Sequence, residues 1–473
     1  MSTKKAINRS GEQIDLLTIS IYFALVIFGW LMIYSVGYGT DGYPYSWSTF
    51  LFKTTIGKQT LWVFISLFLG FIIYLIDWKF WRTFAYPMYG LGILSLLGLF
   101  VFGKVIHGAS SWYGIGSFTL QPSELVKFTT ALAVASFLSP HSANLRGMKT
   151  ILITFGLFLV PALLILGQPD AGSALVFMAF LMPMYREGFS RNFFVIVSSL
   201  TALILLSLIF DPLTIIFFLA MMGIVFLITQ FRDYKQYAFA SWGTGIFLGS
   251  YLIYYDLAVF AVGGAAIAFL IIGGFQYLSR RTRAIGMTLI ATIVACLLAF
   301  GTNYSFNNFL KKHQRNRINV WLKPDQAAKG TDFNLVQSKT AIANGGLTGQ
   351  GFLNGPLTKG EHVPEQTTDF IFCTVGEEHG FLGVTGIILF FVVLMYRITI
   401  IAERQRSNFS RIYAYSVVGI LLVHILINIG MTMGLMPIIG IPLPFISKGG
   451  SSLMGFSIMI AVLLKLDTYR YTV

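Results

Sequence analysis

The sequence predicts an all-α protein, a polytopic transmembrane helical bundle of about fourteen spans with its N- and C-termini on the cytoplasmic side. Three observations carry this expectation. Of 473 residues, 56% are hydrophobic and only 11% charged, against about 25% charged in a soluble domain. Apolar runs of roughly 16–25 residues recur along the whole chain, close to the ~20 residues that cross a hydrocarbon core of ~30 Å. These runs are continuously apolar rather than alternating. Of the two structures that satisfy every backbone group in lipid, helices and closed barrels, they fit helices.

The first run, 16–36, follows a polar, basic segment with Lys4, Lys5 and Arg9. It is too long for the apolar part of a cleavable signal and lacks a small-residue cleavage site, so it is expected to span. Further spans are expected near 60–76, 86–103, 124–138, 150–167, 171–186, 192–210, 212–231, 238–255, 257–277, 284–302, 376–397, 410–434 and 441–465. The runs at 124–138 and 171–186 are short, as if tilted or only part-way through the bilayer. Lys and Arg set the orientation. With the N-terminus inside, the inner loops hold Lys79 and Arg82, Arg146 and Lys149, Arg186 and Arg191, Arg280 to Arg283, and Arg397, Arg404, Arg406 and Arg411. Lys53 and Lys58, in the outer loop 37–59, are a mild exception. The net charge of +14 therefore reads as positive-inside bias, and no nucleic-acid partner is expected. Cys296 and Cys373 offer neither a disulfide framework nor metal-ligand spacing and read as packing residues.

The whole chain, 1–473, reads as a single integral membrane domain. Its inner loops are short and basic, whereas the outside carries one large extracytoplasmic loop, 303–375, with Gly/Pro-rich turns at 103–123 and 434–452. Loops that long are usually functional. Five stretches carry candidate chemistry. In the first, Trp112 leads into Gln121-Pro122-Ser123-Glu124-Leu125-Val126-Lys127. Pro122 suits the first turn of a helix, and Glu124 and Lys127, three apart, share one helix face. They form either an interfacial structural pair or the charged wall of a polar cavity open to the outside. In the second, Gln168-Pro169-Asp170 breaks an apolar stretch, and Asp170 is placed to cap the following helix. The third is the large loop. It holds the basic run Lys311 to Arg317, with Arg315 and Arg317 suited to an anion such as phosphate. It also holds Gln337-Ser338, the glycine-rich 345–351, which predicts tight turns with close backbone approach, and Asp369. The fourth, Glu377-Glu378-His379-Gly380, opens a span, where carboxylates favour the helix dipole. The fifth runs from Asn428 through Ser447-Lys448-Gly449-Gly450, a glycine and proline density that at membrane depth needs protein cover or a water-lined cavity.

Together and in this order, QPSELVK, QPDAG, GGLTGQGFLNG, VPEQTTDFIFCTVGEEHGFLG and GIPLPFISKGGSS resemble the hallmark motifs of the shape, elongation, division and sporulation (SEDS) family of peptidoglycan glycan polymerases. The segment Gly349 to Gly355 is closer to the elongation (RodA) branch than to the division (FtsW) branch. The resemblance implies a ten-span core, here with about four inserted spans within 187–285. It implies a peptidoglycan glycosyltransferase of the hexosyltransferase type that polymerises lipid II on the periplasmic face of the inner membrane, during elongation and shape maintenance. It also implies work beside a class B penicillin-binding protein transpeptidase and other elongation proteins. A lipid II flippase and a non-catalytic scaffold are the rival functions. Three positions depart from the family pattern: Ser111 stands where a basic residue is usual, Thr367 where a His is usual, and Ala327 where the loop's catalytic Asp falls. Asp325 lies two residues before Ala327 and Asp332 five after it. Asp325 is the expected base, with Asp332 behind it. Substrate contacts are expected from Trp112, Gln121, Glu124, Lys127, Asp170, Arg315, Arg317, Gln337, Ser338, Asp369, Ser447 and Lys448. No protein-held metal is expected, although a divalent cation (Mg or Mn) would assist departure of the pyrophosphate.

Overall fold

A computed structural model describes residues 14–38, 47–106, 108–115, 118–140, 145, 147–229, 235–280, 283–310, 312–322, 333–360 and 365–471. In chain order the elements are α1 (Leu16–Gly37), α2 (Trp47–Lys53), α3 (Thr55–Leu75), α4 (Trp78–Thr83), α5 (Ala85–Phe102), β1 (Lys104–Ile106), β2 (Ala109–Ile115), β3 (Phe118–Leu120), α6 (Pro122–Leu138), α7 (Met148–Gly167) and α8 (Ala171–Arg186). There follow α9 (Arg191–Ile209), α10 (Pro212–Thr229), α11 (Lys235–Tyr254), α12 (Ala258–Arg280), α13 (Arg283–Asn308) and α14 (Lys312–Leu322). The chain closes with α15 (Phe333–Asn344), α16 (Pro356–Lys359), α17 (Ile371–Glu403), α18 (Asn408–Met433) and α19 (Gly450–Thr468). Among the described residues, ten helices are long and apolar enough to cross a membrane: α1, α3, α5, α7, α9, α12, α13, α17, α18 and α19. α8 and α10 are shorter apolar helices.

The chain divides into two compact units, residues 1–190 with 332–473 and residues 191–331. In the first unit, α6, α18 and α19 form the buried centre. Val126, Leu132, Tyr413, Ile420, Phe456 and Leu463 lie there with almost no exposure. α3, α5 and α7 lie outside them and turn apolar side chains such as Phe68, Leu91 and Leu163 outward, as lipid-facing helices must. Glycines let α1 press onto the backbone before α19: a Cβ on Gly29 would sit 2.7 Å from the Phe445 carbonyl oxygen.

Three features of this unit were not legible in the pattern of apolar runs. The stretch 103–123, expected as turns, contains a small antiparallel sheet in the order β1-β2-β3, with Lys104 opposite Trp112 and Gly114 opposite Thr119. It is tied to α5 by Tyr113, whose hydroxyl donates to the Ser95 carbonyl at 2.8 Å. The second feature is that Glu377 and Glu378 do not cap a helix start. They lie nearly two turns inside α17, which breaks at Gly380 (φ 63°), a conformation favouring glycine. The backbone groups freed by the break are taken up by the 345–351 turn. Gln350 N donates to Glu377 O at 2.9 Å, Gly351 N to Glu378 O at 3.0 Å, and Phe381 N to Gly346 O at 2.9 Å. Gly345 and Gly349 touch that backbone so closely that a Cβ on either would overlap it. The close approach expected of these glycines is therefore found, and its purpose is to satisfy a broken helix. The third feature is the short helix α16 in the large loop.

The opposite helix ends are tied by ion pairs. Asp15 caps α1 through Thr18 N (3.0 Å) and receives Arg397 (2.7 Å) and Arg404 (3.0 Å). Arg404 also pairs with Asp467, which receives Arg470 at 3.3 Å. Burial pushes the Asp15 carboxyl up, but the Arg397 and Thr18 hydrogen bonds outweigh it and hold it down at about 2, against 3.8 ordinarily. Arg186 pairs with Glu403, and Arg411 with Glu187, both at 2.9 Å.

The second unit packs α10, α12 and the start of α13 around Phe217, Met221, Ile224, Leu227, Ala265, Phe269 and Ile285. The helices expected as an insertion at 187–285 fall in this unit from residue 191 onward.

Candidate functional site

In the first unit the N-terminal ends of α3, α6, α8, α17 and α19 and the C-terminal ends of α1, α5, α7 and α18 share one end of the bundle, and the candidate residues gather there. Pro122 occupies the first turn of α6 as expected, without a side-chain cap from Gln121. Gln121 is committed elsewhere. Its Nε2 donates to Asp170 Oδ2 at 3.0 Å and to Ser173 Oγ at 3.3 Å, while its backbone N–H donates to Ser451 Oγ at 2.9 Å. Asp170 caps α8 by accepting from Ser173 N at 3.0 Å, the role its position predicted. Gln121, Asp170, Ser173 and Ser451 thus join α6, α8 and α19 in one polar rim.

One turn deeper lies the charged centre. Lys127 Nζ is 2.8 Å from Glu124 Oε2 and 2.7 Å from His424 Nε2. The pair forms as the three-residue spacing requires, and it is sealed: Lys127 is 0% exposed and Glu124 2%. His424, on α18, was not foreseen. Its Nδ1 lies 3.1 Å from the Pro442 carbonyl oxygen. A carbonyl only accepts, so Nδ1 carries the proton and Nε2 presents a lone pair to the Lys127 ammonium. The ammonium also lies 5.4 Å from the centre of the Phe456 ring, within cation–π range. A charge taken out of water is tolerated only with such partners. The signal for His424 was a single His in an apolar span, four residues before Asn428 and so on the same helix face.

The irregular segment between α18 and α19 is held by side chains. Asn428 Nδ2 donates to the Ile441 and Asp369 carbonyls at 2.7 and 2.9 Å. Ser447 Oγ donates to Thr368 O at 2.6 Å and accepts from Leu443 N at 2.8 Å. Lys448 N donates to Thr367 O at 2.8 Å. Asp369 approaches Gly440, where a Cβ would lie 3.0 Å from its Oδ2. Ser338 is buried, donates to Thr432 O at 3.0 Å and anchors α15 on α18; Gln337 beside it is half-buried. Trp112, on β2, is half-buried. Glu377 grips the start of α16, accepting from Leu357 N at 2.9 Å and Thr358 N at 2.8 Å. Glu378 accepts from Ser35 Oγ of α1.

Arg315 and Arg317 lie on α14, in the second unit; Arg315 donates to the Asn307 carbonyl at 3.1 Å. Asp325 and Asp332, the expected base and its substitute, lie outside the described residues. Among the described residues no three His, Cys, Asp or Glu side chains converge as a metal site would require.

Fold and site together define a polytopic helical membrane protein with a buried charged centre beneath a polar rim. The family model described as "Cell cycle protein", covering the FtsW, RodA and SpoVE proteins, matches residues 15–265 and 215–472, and the chain belongs to that family. It is 30% identical over 464 residues to the peptidoglycan glycosyltransferase RodA of Treponema pallidum (strain Nichols), covering 97% of this chain and 98% of that protein. It is 26% identical to the peptidoglycan glycosyltransferase MrdB of Escherichia coli (strain K12), over 81% of this chain and 77% of that protein. Among solved structures, a chain of a peptidoglycan synthase complex matches with a TM-score of 0.64 at 21% identity, covering 98% of this chain and 99% of that one. The rod shape determining protein RodA of Thermus thermophilus matches with 0.56 at 19%, covering 97% and 98%. These two likenesses concern the fold.

Proposed function

We propose that this chain is a peptidoglycan glycosyltransferase that polymerises lipid II into glycan strands during cell elongation and shape maintenance. The observation that carries this is the gathering, at one end of the first unit's helical bundle, of the first, second, fourth and fifth motifs and of the third from Gln337 onward, in a chain whose relatives are named peptidoglycan glycosyltransferases. A carrier that moves lipid across the bilayer needs polar access from both faces; here the other end carries arginine–carboxylate ties and none of the candidate residues placed in the first unit.

In the reaction, the acceptor sugar hydroxyl attacks the anomeric carbon of the lipid-pyrophosphate donor. The new C–O bond forms as the bond to pyrophosphate breaks, and a carboxylate takes the hydroxyl proton. Asp325 is the proposed base, with Asp332 as its substitute. Gln121, Asp170, Ser447 and Asp369 offer hydrogen-bonding groups at the rim for sugar hydroxyls. Lys127, held by Glu124 and His424, supplies positive charge behind that rim as pyrophosphate departs. Arg315 and Arg317 are proposed phosphate contacts. A Mg or Mn ion would neutralise pyrophosphate charge; chelation of the purified protein followed by add-back of each ion tests the need for it.

The same reading proposes fourteen spans, by adding α6, α8, α10 and α11 to the ten, with both termini cytoplasmic and the polar end periplasmic in the inner membrane. The partners proposed are a class B penicillin-binding protein transpeptidase and other elongation proteins. The test is a lipid II polymerisation assay on purified protein, alone and with its transpeptidase partner. Glycan chains are expected; lipid II translocation in vesicles without chains under either condition rejects the function. A cysteine at Ser305 labelled only from the cytoplasm rejects the orientation.

A further inference from the structure

A recess of about 260 Å³ opens in the first unit between the start of α3, the β2–β3 hairpin and the start of α19. Its walls include Lys58, Gln59 and Trp62 from α3, Trp112 and Thr119 from the hairpin, and Lys448 ahead of α19. Among the described residues that line it none is acidic. Two lysines therefore line one small space together with the N-terminal end of α19, which has no side-chain cap among the described residues. Both features favour an anion.

Gln59 adds an independent demand. It is 2% exposed, and its Oε1 has no hydrogen-bond partner among the described residues. A buried amide oxygen left unpaired is destabilising. An amide oxygen only accepts, so what completes it is a hydroxyl or an amide N–H. The two indoles supply apolar faces. Trp62 is fixed in place by lying against Gly450, where any Cβ would overlap its ring. At 260 Å³ the recess falls below the ~300–1,000 Å³ of pockets that enclose a whole small ligand, so it suits one end of a larger molecule.

We propose that this recess binds an anionic sugar, with a phosphate or carboxylate between Lys58 and Lys448, the ring against Trp62 and Trp112, and a hydroxyl or acetamido N–H on Gln59. This deepens the proposed function and rests on it. It assigns α3, in which none of the five motifs falls, to substrate binding. In a glycan polymerase the anion has two sources, the donor's pyrophosphate and the peptide carboxylates carried by either sugar chain.

The test is direct binding to the full-length purified protein in detergent, read by calorimetry and separate from turnover. Four probes are used: inorganic pyrophosphate, a short-chain lipid pyrophosphoryl disaccharide with its peptide, the same compound without peptide, and the disaccharide peptide without pyrophosphate. Lys58→Met and Lys448→Met should each weaken the complete probe about tenfold or more, as expected for a charge-assisted hydrogen bond. Lys58→Arg and Lys448→Arg should stay within about threefold, which separates lost charge from lost fold. Lysine-dependent binding of the peptide-free probe assigns the anion to pyrophosphate; lysine-dependent binding of the phosphate-free probe assigns it to the peptide. Unchanged affinity in both Met variants, or no binding of any probe, overturns the site even if glycan chains form. Lysine-dependent binding by a protein that makes no chains leaves the site standing and removes the polymerase function instead.

Discussion

Replacing Lys127 by Met separates what the charged centre does for the fold from what it does for the reaction. Lys127 is fully buried between Glu124 at 2.8 Å and His424 at 2.7 Å. Removing one partner of a buried pair leaves the other charge uncompensated, at about 3–5 kcal/mol. His424 Nε2 also loses its donor, a buried acceptor worth about 1–3 kcal/mol. These costs share atoms and do not add, so Lys127→Met should lose about 4 kcal/mol of stability. The double variant Lys127→Met, Glu124→Gln carries neither charge and should recover to within about 2 kcal/mol of wild type, because a buried pair contributes little net stability over a neutral replacement. Stability is read by thermal unfolding in detergent, and activity by glycan chain formation at matched amounts of folded protein. Both variants should be inactive. A double variant that is folded and polymerises lipid II at the wild-type rate would refute any role for the pair beyond structure. A Lys127→Met variant as stable as wild type would refute the energetic argument.

Three further outcomes are expected. The Asp15 carboxyl, held at about 2 against 3.8 ordinarily, contributes about 2 kcal/mol that is complete above pH ~4 and lost as pH falls through ~2. Asp15→Asn should therefore unfold at a lower temperature than wild type at pH 6, the gap closing toward pH 2; a gap independent of pH counts against the Arg397 and Arg404 pairing. Gly349→Ala should destabilise by about 3 kcal/mol or more and cost folded yield, since Gly349 has a φ of 85° and its Cβ would overlap the Glu378 backbone; normal yield and melting would disprove the proposed splint across the broken helix. Asp325→Asn should abolish glycan chain formation while Asp332→Asn retains it at matched expression, and the reverse pattern moves the base to Asp332.

Much of the site was legible because its signals are local. Glu124 and Lys127 are joined by helix spacing alone, and Asp170 caps the helix that follows it. The glycines of 345–351 announced close backbone contact without saying with what. The partner is the break at Gly380, thirty or so residues away in the chain. The Glu377-Glu378 pair was misplaced because its sequence suits a helix start. That α17 begins nearly two turns earlier, and that Glu377 serves the start of α16 instead, depends on contacts between distant segments. His424 was missed for the same reason: nothing near it in the chain suggests a cation, and its ring meets Lys127 only when α18 packs on α6. The β1–β3 sheet was missed because strands of 3, 7 and 3 residues are too short for alternation to stand out from turn residues.

Hydrophobicity acts on each segment separately, so the sequence by itself determined that the protein is a helical membrane bundle and roughly where its helices run. Family membership was equally a property of the string. Which polar groups meet was decided only by tertiary structure. A hydrogen bond or ion pair is made between particular atoms within about 3 Å, and that distance is set by how α6, α18 and α19 pack. The Lys127–His424 contact, the Gln121–Asp170–Ser451 rim and the recess between Lys58 and Lys448 exist because residues up to some 390 positions apart are brought to one end of the bundle.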